Sequence, residues 1–96
     1  MVYVNVVLTV KSDADVPRVR ELLSEQARLS RAEPGCLRFE VYHSENDPRT
    51  FLLVERWESD AALDVHRTAH AYTTVYHPQV LPLVERTPHR SQLVSG

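Results

Sequence analysis

Apolar and polar residues alternate at the start of the chain. The apolar residues at the even positions of VYVNVVLTV are Val2, Val4, Val6, Leu8 and Val10. A period of two predicts a β-strand with one apolar face. In the next segment, SDADVPRVRELLSEQARLSRAEPG, apolar residues recur at helical spacing instead. We expect Ser12 or Asp13 to cap this helix, Pro17 to lie in its first turn, and Pro34-Gly35 to end it.

The second half of the chain repeats the change from strand to helix. Apolar and polar residues alternate in CLRFEVYHS and again in TFLLVERWE. The turn ENDPR separates these two segments, so the pattern predicts a β-hairpin. Ser59 and Asp60 form a helix N-cap signal, and the pattern predicts a second helix to about residue 75, with Pro78 breaking it. ERTPHRSQLV is then a last strand, with Pro88 in a position typical of an edge.

The predicted order β-α-β-β-α-β is that of an α+β, ferredoxin-like fold over residues 1–96, a single domain. Its antiparallel four-stranded sheet carries both helices on one face. In the third strand Phe51, Leu53 and Trp57 point one way, whereas Leu52 and Val54 point the other way. Soluble monomers rarely expose an apolar strip of this size. We therefore expect a homodimer that packs through the second face.

Composition narrows the class of protein. A chain of 96 residues with a net charge of -2 and a pI near 6.2 has no basic surface typical of nucleic-acid binding. The single cysteine, Cys36, cannot form an internal disulfide, and we interpret it as a small buried hydrophobe. No signal peptide is recognised, and no apolar run approaches the roughly 20 residues that span a bilayer. We expect a cytoplasmic protein that binds neither membrane nor nucleic acid.

One long segment resembles a known family. EPGCLRFEVYHSENDPRTFLLVERWESDAALDVHRTAH contains an E-P-G-C turn, a hairpin, an E-x-W-x-S strand end and an H-x-x-x-H helix in the order found in the antibiotic biosynthesis monooxygenase family. The resemblance implies small dimeric ferredoxin-like proteins. They include oxygenases of aromatic polyketides and quinols that need no metal or flavin, relatives that degrade haem, and an isomerase of a signalling sugar phosphate.

The resemblance also assigns individual positions. Trp57 matches the tryptophan that lines the substrate pocket of polyketide-oxidising relatives, whereas Leu53 replaces their asparagine. Asn5 stands where haem-degrading relatives keep an asparagine, and we expect its face of the strand to share the pocket with Trp57. His66 replaces those relatives' distorting tryptophan, and His77 lies near their iron-binding histidine. Without the second tryptophan we do not predict haem turnover.

His66 and His70 are one helical turn apart and are predicted to share a face. A metal pair needs a third ligand and usually a carboxylate between the histidines, which Arg67-Thr68-Ala69 does not supply. We favour His66 as a general base for a phenolic proton, with Glu55 as its partner. The alternative is that both histidines only pack the helix against the sheet.

The sequence therefore predicts oxidation of an aromatic polyketide or quinol-type substrate by O2, without cofactor or metal, in a pocket between sheet and helices. The predicted catalytic residues are His66, Asn5 and Glu55. The predicted substrate-binding residues are Trp57, Tyr72, His70, His43, Phe39, Leu53, Tyr76 and His77. Two alternatives remain: an isomerase of a small polar metabolite, which needs an anion site, and a non-catalytic binding dimer. The oxygenase requires an apolar, flat cavity.

Overall fold

The computed structural model describes residues 1–96 and confirms the ferredoxin-like order. Four antiparallel strands form one sheet in the order β2-β3-β1-β4. The strands are β1 (Val2–Val10), β2 (Cys36–His43), β3 (Thr50–Trp57) and β4 (Val84–Ser91). The helices are α1 (Val16–Arg31), α2 (Asp60–Thr68) and a π-helical segment (Ala71–Val80), with 3-10 turns at Asp13–Asp15 and Leu81–Leu83. None of the helices combines the length and apolar character needed to cross a bilayer.

The register of β1 against β3 defines the two faces of the sheet. Val2 lies opposite Trp57, Val4 opposite Glu55, and Val6 opposite Leu53. Directly opposed residues in an antiparallel pair project to the same face. The even residues of β1 and the odd residues of β3 therefore lie beneath the helices. The largest fully buried side chains there are Trp57, Tyr76, Phe39, Phe51, Leu8, Leu23 and Leu53.

Helix α1 packs its apolar stripe on this face. Val19, Leu23 and Ala27 are buried as the periodicity predicted, and Pro17 lies in the first turn. The predicted cap is wrong, because a 3-10 turn precedes the helix and no side chain caps the start of that turn or the start of α1. The buried stripe of α1 also contains two polar residues, Gln26 and Ser30.

The turn after α1 brings it close to α2. Gly35 has φ of 80°, and its carbonyl accepts a hydrogen bond of 2.8 Å from the amide of Glu58. A Cβ at position 35 would lie 2.5 Å from the Cβ of Ala62. Glycine is therefore required both by the backbone conformation and by the approach of α2.

The second helix is shorter than predicted. Ser59 caps it as expected, accepting a hydrogen bond from the amide of Ala62 at 3.1 Å. The helix ends at Thr68, and Ala69 is extended, with φ of -81° and ψ of 165°. The hydroxyl of Thr68 donates to the carbonyl of Val65, a local bond of the kind that competes with helical geometry. Pro78 does not break the next element, since it lies inside the π-helical segment.

The opposite face of the sheet carries no helix. Leu52 and Tyr42 are exposed there, and the guanidinium of Arg56 lies 5.0 Å from the ring centre of Tyr3. β4 is an edge strand, as Pro88 predicted, and pairs only with β1. We call this uncovered surface of β1, β2, β3 and β4 the open sheet face.

Candidate active site

A buried aromatic cluster surrounds His66 at the end of α2. The ring centre of His66 lies 4.4 Å from Trp57, 5.8 Å from Phe39 and 5.9 Å from Tyr72. His66 is 4% exposed and Trp57 is fully buried. Leu63, one turn earlier on α2, is also buried, which turns this face of the helix toward the sheet. The sequence therefore placed His66 and Trp57 on the correct surfaces.

The hydrogen-bond partner of His66 is Glu33. Its Oε1 lies 2.7 Å from Nδ1 of the imidazole, and the Glu33 side chain is only 12% exposed. Glu33 belongs to the E-P-G-C turn and is 33 residues away in sequence. When Nδ1 donates to this carboxylate, the imidazole is held in the tautomer whose Nε2 accepts a proton.

Glu55 has a different partner from the one predicted. Its Oε1 accepts a hydrogen bond of 3.0 Å from the indole Nε1 of Trp57, two residues along the same strand. Burial raises the pKa of the Glu55 carboxyl above its usual range, and the bond from Trp57 opposes this shift. The pairing of Glu55 with His66 is therefore wrong, although the charges of Arg86 and Arg67 also act to lower the pKa of the carboxyl.

A small cavity of about 20 Å³ lies under α2 and the π-helical segment. It is lined by Val4, Gln26, Glu55, Leu63, His66, Arg67, Tyr72, Tyr76 and Arg86. Most of these side chains are polar, so this closed cavity is not the apolar, flat one that an oxygenase of aromatic substrates requires. His66 lines the cavity, whereas its hydrogen-bond partner Glu33 does not.

The π-helical segment supplies two tyrosines to the cavity. Hydrogen bonds between residues five apart widen each turn, as from the amide of Leu81 to the carbonyl of Tyr76. The rings of Tyr72 and Tyr76 lie 5.4 Å apart on one side of the segment. The hydroxyl of Tyr76 accepts 2.9 Å from Nε of Arg86. Burial raises the pKa of Tyr76 to about 12, against the effect of Arg86, so its phenol stays neutral.

The H-x-x-x-H pair does not share a helix face. The extended residue Ala69 separates α2 from His70, which is exposed and contacts Thr74 Oγ1 at 3.2 Å. His77 is also exposed, with its ring 6.3 Å from that of Tyr72. Neither His70 nor His77 lines the small cavity, and their role in substrate binding stays a prediction. No three His, Cys, Asp or Glu side chains are grouped in a way that could hold a metal ion.

Asn5 and His43 also lie away from the cavity. Asn5 pairs with Val54 on the open sheet face, and its amide donates 3.0 Å to the hydroxyl of Ser91. The expectation that it faces Trp57 is wrong, because Trp57 opposes an even residue of β1. His43 is on the helix side but stacks 4.1 Å from Phe51, at the opposite end of β3 from Trp57.

Phe39 and Leu53 belong to the core rather than to the cavity lining. Both are 1% exposed, and only Phe39 contacts the aromatic cluster, with its ring 6.4 Å from Trp57. Cys36 is half-buried rather than buried as predicted; desolvation raises the pKa of its thiol to about 11, so the thiol is protonated.

Three residues of the site were missed by the sequence interpretation. Glu33 stood in the E-P-G-C motif, Gln26 interrupted the apolar stripe of α1, and Arg86 lay two residues before the edge-strand proline. The polar residue in an apolar stripe was a usable signal, because buried polar groups need partners. The contacts between Glu33 and His66 and between Arg86 and Tyr76 depend on the tertiary fold.

The ferredoxin-like fold makes this chain a small α+β protein, and its buried His66 lies beside Trp57 at the end of a strand. Comparison with known proteins identifies the family. The antibiotic biosynthesis monooxygenase model matches residues 1–77. The chain therefore belongs to the antibiotic biosynthesis monooxygenase family. A crystal structure described as an antibiotic biosynthesis monooxygenase superposes with a TM-score of 0.85 at 23% identity, covering 97% of this chain and 99% of that one.

Two curated relatives also match. Rv0793 of Mycobacterium tuberculosis, named "Putative monooxygenase", is 38% identical over 71% of this chain and 65% of its own. Its solved structure gives a TM-score of 0.79 at 27% identity, covering 96% of this chain and 96% of that one. YjcS of Bacillus subtilis is 29% identical over 71% of this chain and 65% of its own. The aligned stretch thus spans slightly less than two thirds of each curated relative.

Proposed function

We propose that this protein is a cofactor-independent monooxygenase of quinol-type or polyketide aromatic substrates, with His66 as the catalytic base. The main support is the 2.7 Å contact between the Glu33 carboxylate and Nδ1 of the buried His66. His66 also borders the small cavity and lies against Trp57. Family membership and relatives named as monooxygenases support the reaction class.

In this mechanism Nε2 of His66 takes the proton of a substrate hydroxyl. The phenolate transfers one electron to O2, and the resulting radical pair couples at a ring carbon to form a peroxide. Loss of water from the peroxide leaves one oxygen atom on carbon. For a hydroquinone the balance is one quinol and one O2 giving one hydroxyquinone and one water. The substrate supplies the electrons, so the scheme requires no flavin or metal.

A substrate ring enters only if the cavity opens. Its volume of about 20 Å³ is far below the roughly 300 Å³ of a small ligand site. Tyr72 is half-buried, and Arg67 and Arg86 are exposed, so these three side chains form the wall that faces solvent. Ala69 interrupts the helix between His66 and Tyr72. In this proposal Tyr72, which follows the break, moves outward while the base keeps its bond to Glu33.

Oxygen uptake by the purified, metal-stripped protein tests the proposal, with a small panel of anthrones and hydroquinones as substrates. We expect uptake above the autoxidation rate, and a fall of roughly 100-fold or more for His66→Gln because a general base contributes about that much. His70→Gln is the matched control, since His70 is exposed and separated from the cavity by Ala69.

Two results would contradict this function. Uptake unchanged in His66→Gln removes His66 as the base. Uptake at the autoxidation rate with every panel member, from a protein that binds them, removes the oxygenase reaction.

We further propose that two copies pack through the open sheet face. Leu52 is 39% exposed, Tyr42 is 46% exposed, and Val7 and Val54 are half-buried on the same surface. An apolar strip that no element of the chain covers is typical of an interface. In each copy the cavity lies on the helix side of the sheet, so a dimer that packs through the open sheet face leaves both cavities accessible.

The polar lining of the cavity favours a second candidate, isomerisation of a small polar metabolite. Arg67 and Arg86 border the cavity and can hold an anionic group, while His66 moves a proton between neighbouring carbons. This reaction needs no O2. Anaerobic incubation of hydroxycarbonyl phosphates in D2O would show deuterium uptake at carbon in the wild-type protein and none in His66→Gln.

A further inference from the structure

Glu55 is the only acidic side chain among the buried residues, and the mechanism proposed above does not use it. Its carboxyl is 7% exposed and belongs to none of the ion pairs of the protein. A buried carboxylate without a paired cation is costly, so this environment favours the neutral acid. The raised pKa of Glu55 agrees with that expectation.

Only one of the two carboxyl oxygens of Glu55 is occupied. Oε1 accepts the hydrogen bond from the indole of Trp57, and Oε2 has no partner. Oε2 is also absent from the enclosed unpaired atoms, which belong to Gln26, Ser30 and Arg56, so it retains exposed surface. Because Glu55 lies opposite Val4, its side chain points to the helix side, where it borders the small cavity. When the carboxyl is neutral, its proton is on Oε2, because Oε1 already accepts from Trp57.

The indole of Trp57 connects this acid to the proposed base. Its ring centre lies 4.4 Å from that of His66, and its Nε1 lies 3.0 Å from Oε1 of Glu55. Both His66 and Glu55 border the same cavity. A neutral imidazole that accepts a proton and a neutral carboxyl that has one to donate are the complementary states of a base and an acid.

We propose that Glu55 is the general acid of the oxygenase: Oε2–H protonates the oxygen that leaves when the O–O bond of the peroxide breaks. The inference rests on the proposed function and adds a second proton-transfer residue to the same site. The role differs from that of a partner to His66, which Glu33 fills.

Protons and electrons balance in this scheme. His66 takes the proton of the substrate hydroxyl and returns it to the peroxide formed from O2, which gives a hydroperoxide. The ring hydrogen on the same carbon then passes to His66 as a proton, and the electron pair of that C–H bond forms a C=O bond as the O–O bond breaks. The departing oxygen keeps the O–O electron pair, takes a proton from Glu55 and leaves as water. Proton transfer from His66 to Glu55 through that water restores both groups.

The surroundings of Glu55 support the order of these steps. The titratable and charged groups that face it are His66 and Arg67 on α2, Tyr72 and Tyr76 on the π-helical segment, Arg86 on β4 and Cys36 on β2. A positive charge on His66 lowers the pKa of Glu55. Glu55 therefore becomes a stronger acid as His66 takes the ring proton, which is when the departing oxygen needs a proton.

A single turnover with a hydroquinone and O2 separates the two proton transfers. We would follow O2, the absorbance of the hydroxyquinone and the peroxide content of quenched samples in wild type, Glu55→Gln, His66→Gln and Glu85→Gln. Glutamine at position 55 keeps an acceptor for Trp57 but has no acidic proton. Glu85 is exposed on β4, so its variant is the matched control.

The two site variants should block different steps. We expect Glu55→Gln to take up O2 within roughly twofold of the wild-type rate and to form hydroxyquinone about 100-fold more slowly, the contribution of a general acid. A peroxide should therefore accumulate in this variant and be absent from wild type and Glu85→Gln. His66→Gln should instead slow O2 uptake itself, because it blocks the earlier proton transfer.

Infrared spectroscopy of the ligand-free protein tests the state of the acid without turnover. A protonated carboxyl has a C=O stretch that a carboxylate lacks. We expect this band in wild type at a pH where the exposed carboxyls have ionised, and we expect its loss in Glu55→Gln but not in Glu85→Gln. Absence of the band from wild type would mean that Glu55 is ionised and would overturn the proposal, whether or not the variants fold.

The other outcomes separate this role from the oxygenase. Uptake and product formation slowed equally in Glu55→Gln, without peroxide, would indicate a structural role and overturn the proposal while the oxygenase stands. Unchanged product formation in Glu55→Gln would do the same. No uptake by wild type above the autoxidation rate would contradict the oxygenase and, with it, the role of Glu55 in that reaction.

Discussion

The two faces of the sheet contain the same strands and differ in what covers them. On the helix side, Nδ1 of His66 contacts Glu33 and Glu55 accepts from Trp57 within a closed core. On the open sheet face, Nε of Arg56 is buried without a partner and Leu52 is partly exposed. The helix side holds the candidate chemistry, whereas the open sheet face is the surface proposed for the dimer.

Leu52→Glu tests the open face and should have the largest effect. In a two-fold interface each substitution occurs twice, and a buried carboxylate without a partner is strongly unfavourable. We expect the dimer Kd to rise at least about 100-fold, or 2.7 kcal/mol. Sedimentation velocity measures this change. Val65→Glu is the control, because Val65 is 55% exposed on α2. Unchanged sedimentation of Leu52→Glu would exclude the open face as the interface.

Glu33→Gln tests the helix side through the partner of His66, the proposed base. A glutamine can present its NH2 group to Nδ1 and so favour the wrong imidazole tautomer. We expect kcat for oxygen uptake to fall roughly 10-fold to 100-fold with little change in KM, the usual range for a group that orients a functional histidine. Glu25→Gln, an exposed carboxylate paired with Arg28, should leave kcat unchanged. Loss through KM alone would contradict an orienting role.

Glu55→Gln should change stability in a pH-dependent way. Burial raises the folded-state pKa of Glu55 above the ordinary 4.5, so the folded protein prefers the protonated carboxyl. The stability contribution is fully present below the unfolded-state pKa and is lost as pH rises through the folded-state pKa. The substituted glutamine keeps an acceptor for Trp57 and does not ionise. Urea unfolding at fixed protein concentration should show a small difference near pH 4 that grows in favour of the variant toward pH 8.

Each unit of upward pKa shift corresponds to about 1.4 kcal/mol of this difference. Glu45→Gln, in the exposed turn between β2 and β3, is the control for loss of a carboxylate without burial. A difference between Glu55→Gln and wild type that is constant with pH would contradict the raised pKa.

Asn5→Ala should have the smallest effect on chemistry. Asn5 is exposed on the open face, where it bonds Ser91 rather than any cavity residue. Surface substitutions usually change free energies by about 0.5 kcal/mol or less, so kcat/KM for oxygen uptake should stay within roughly twofold of wild type. A larger loss would show that the open face communicates with the site.

Local patterns in the sequence predicted most of the fold. The alternation in β1, the hairpin and the cap at Ser59 are signals carried by a few neighbouring residues. The break at Ala69 was missed because no glycine or proline marks it, and the hydroxyl of Thr68 competes with the helix instead. Pro78 gave the opposite error. We expected it to end the helix, but it lies inside the π-helical segment, whose wider turn accommodates it.

The site was predicted less completely, for two physical reasons. His66 and Trp57 were found because each shares a face with apolar neighbours. Asn5 was assigned to the wrong face because its position was taken from the resemblance, and in a strand a shift of one residue moves a side chain through the sheet. The partnership of Glu33 with His66 joins residues 33 apart, and periodicity carries no information on such pairs.

Gly35 gives this family member an indirect route to new specificity. The absence of a side chain there sets how closely α2 approaches the turn, since a Cβ would meet that of Ala62 at 2.5 Å. A bulkier pair at positions 35 and 62 would displace α2 outward and enlarge the space under His66, at the expense of strain at a φ of 80°. Evolution or laboratory selection can thus alter the size of this space without replacing any residue that lines the cavity.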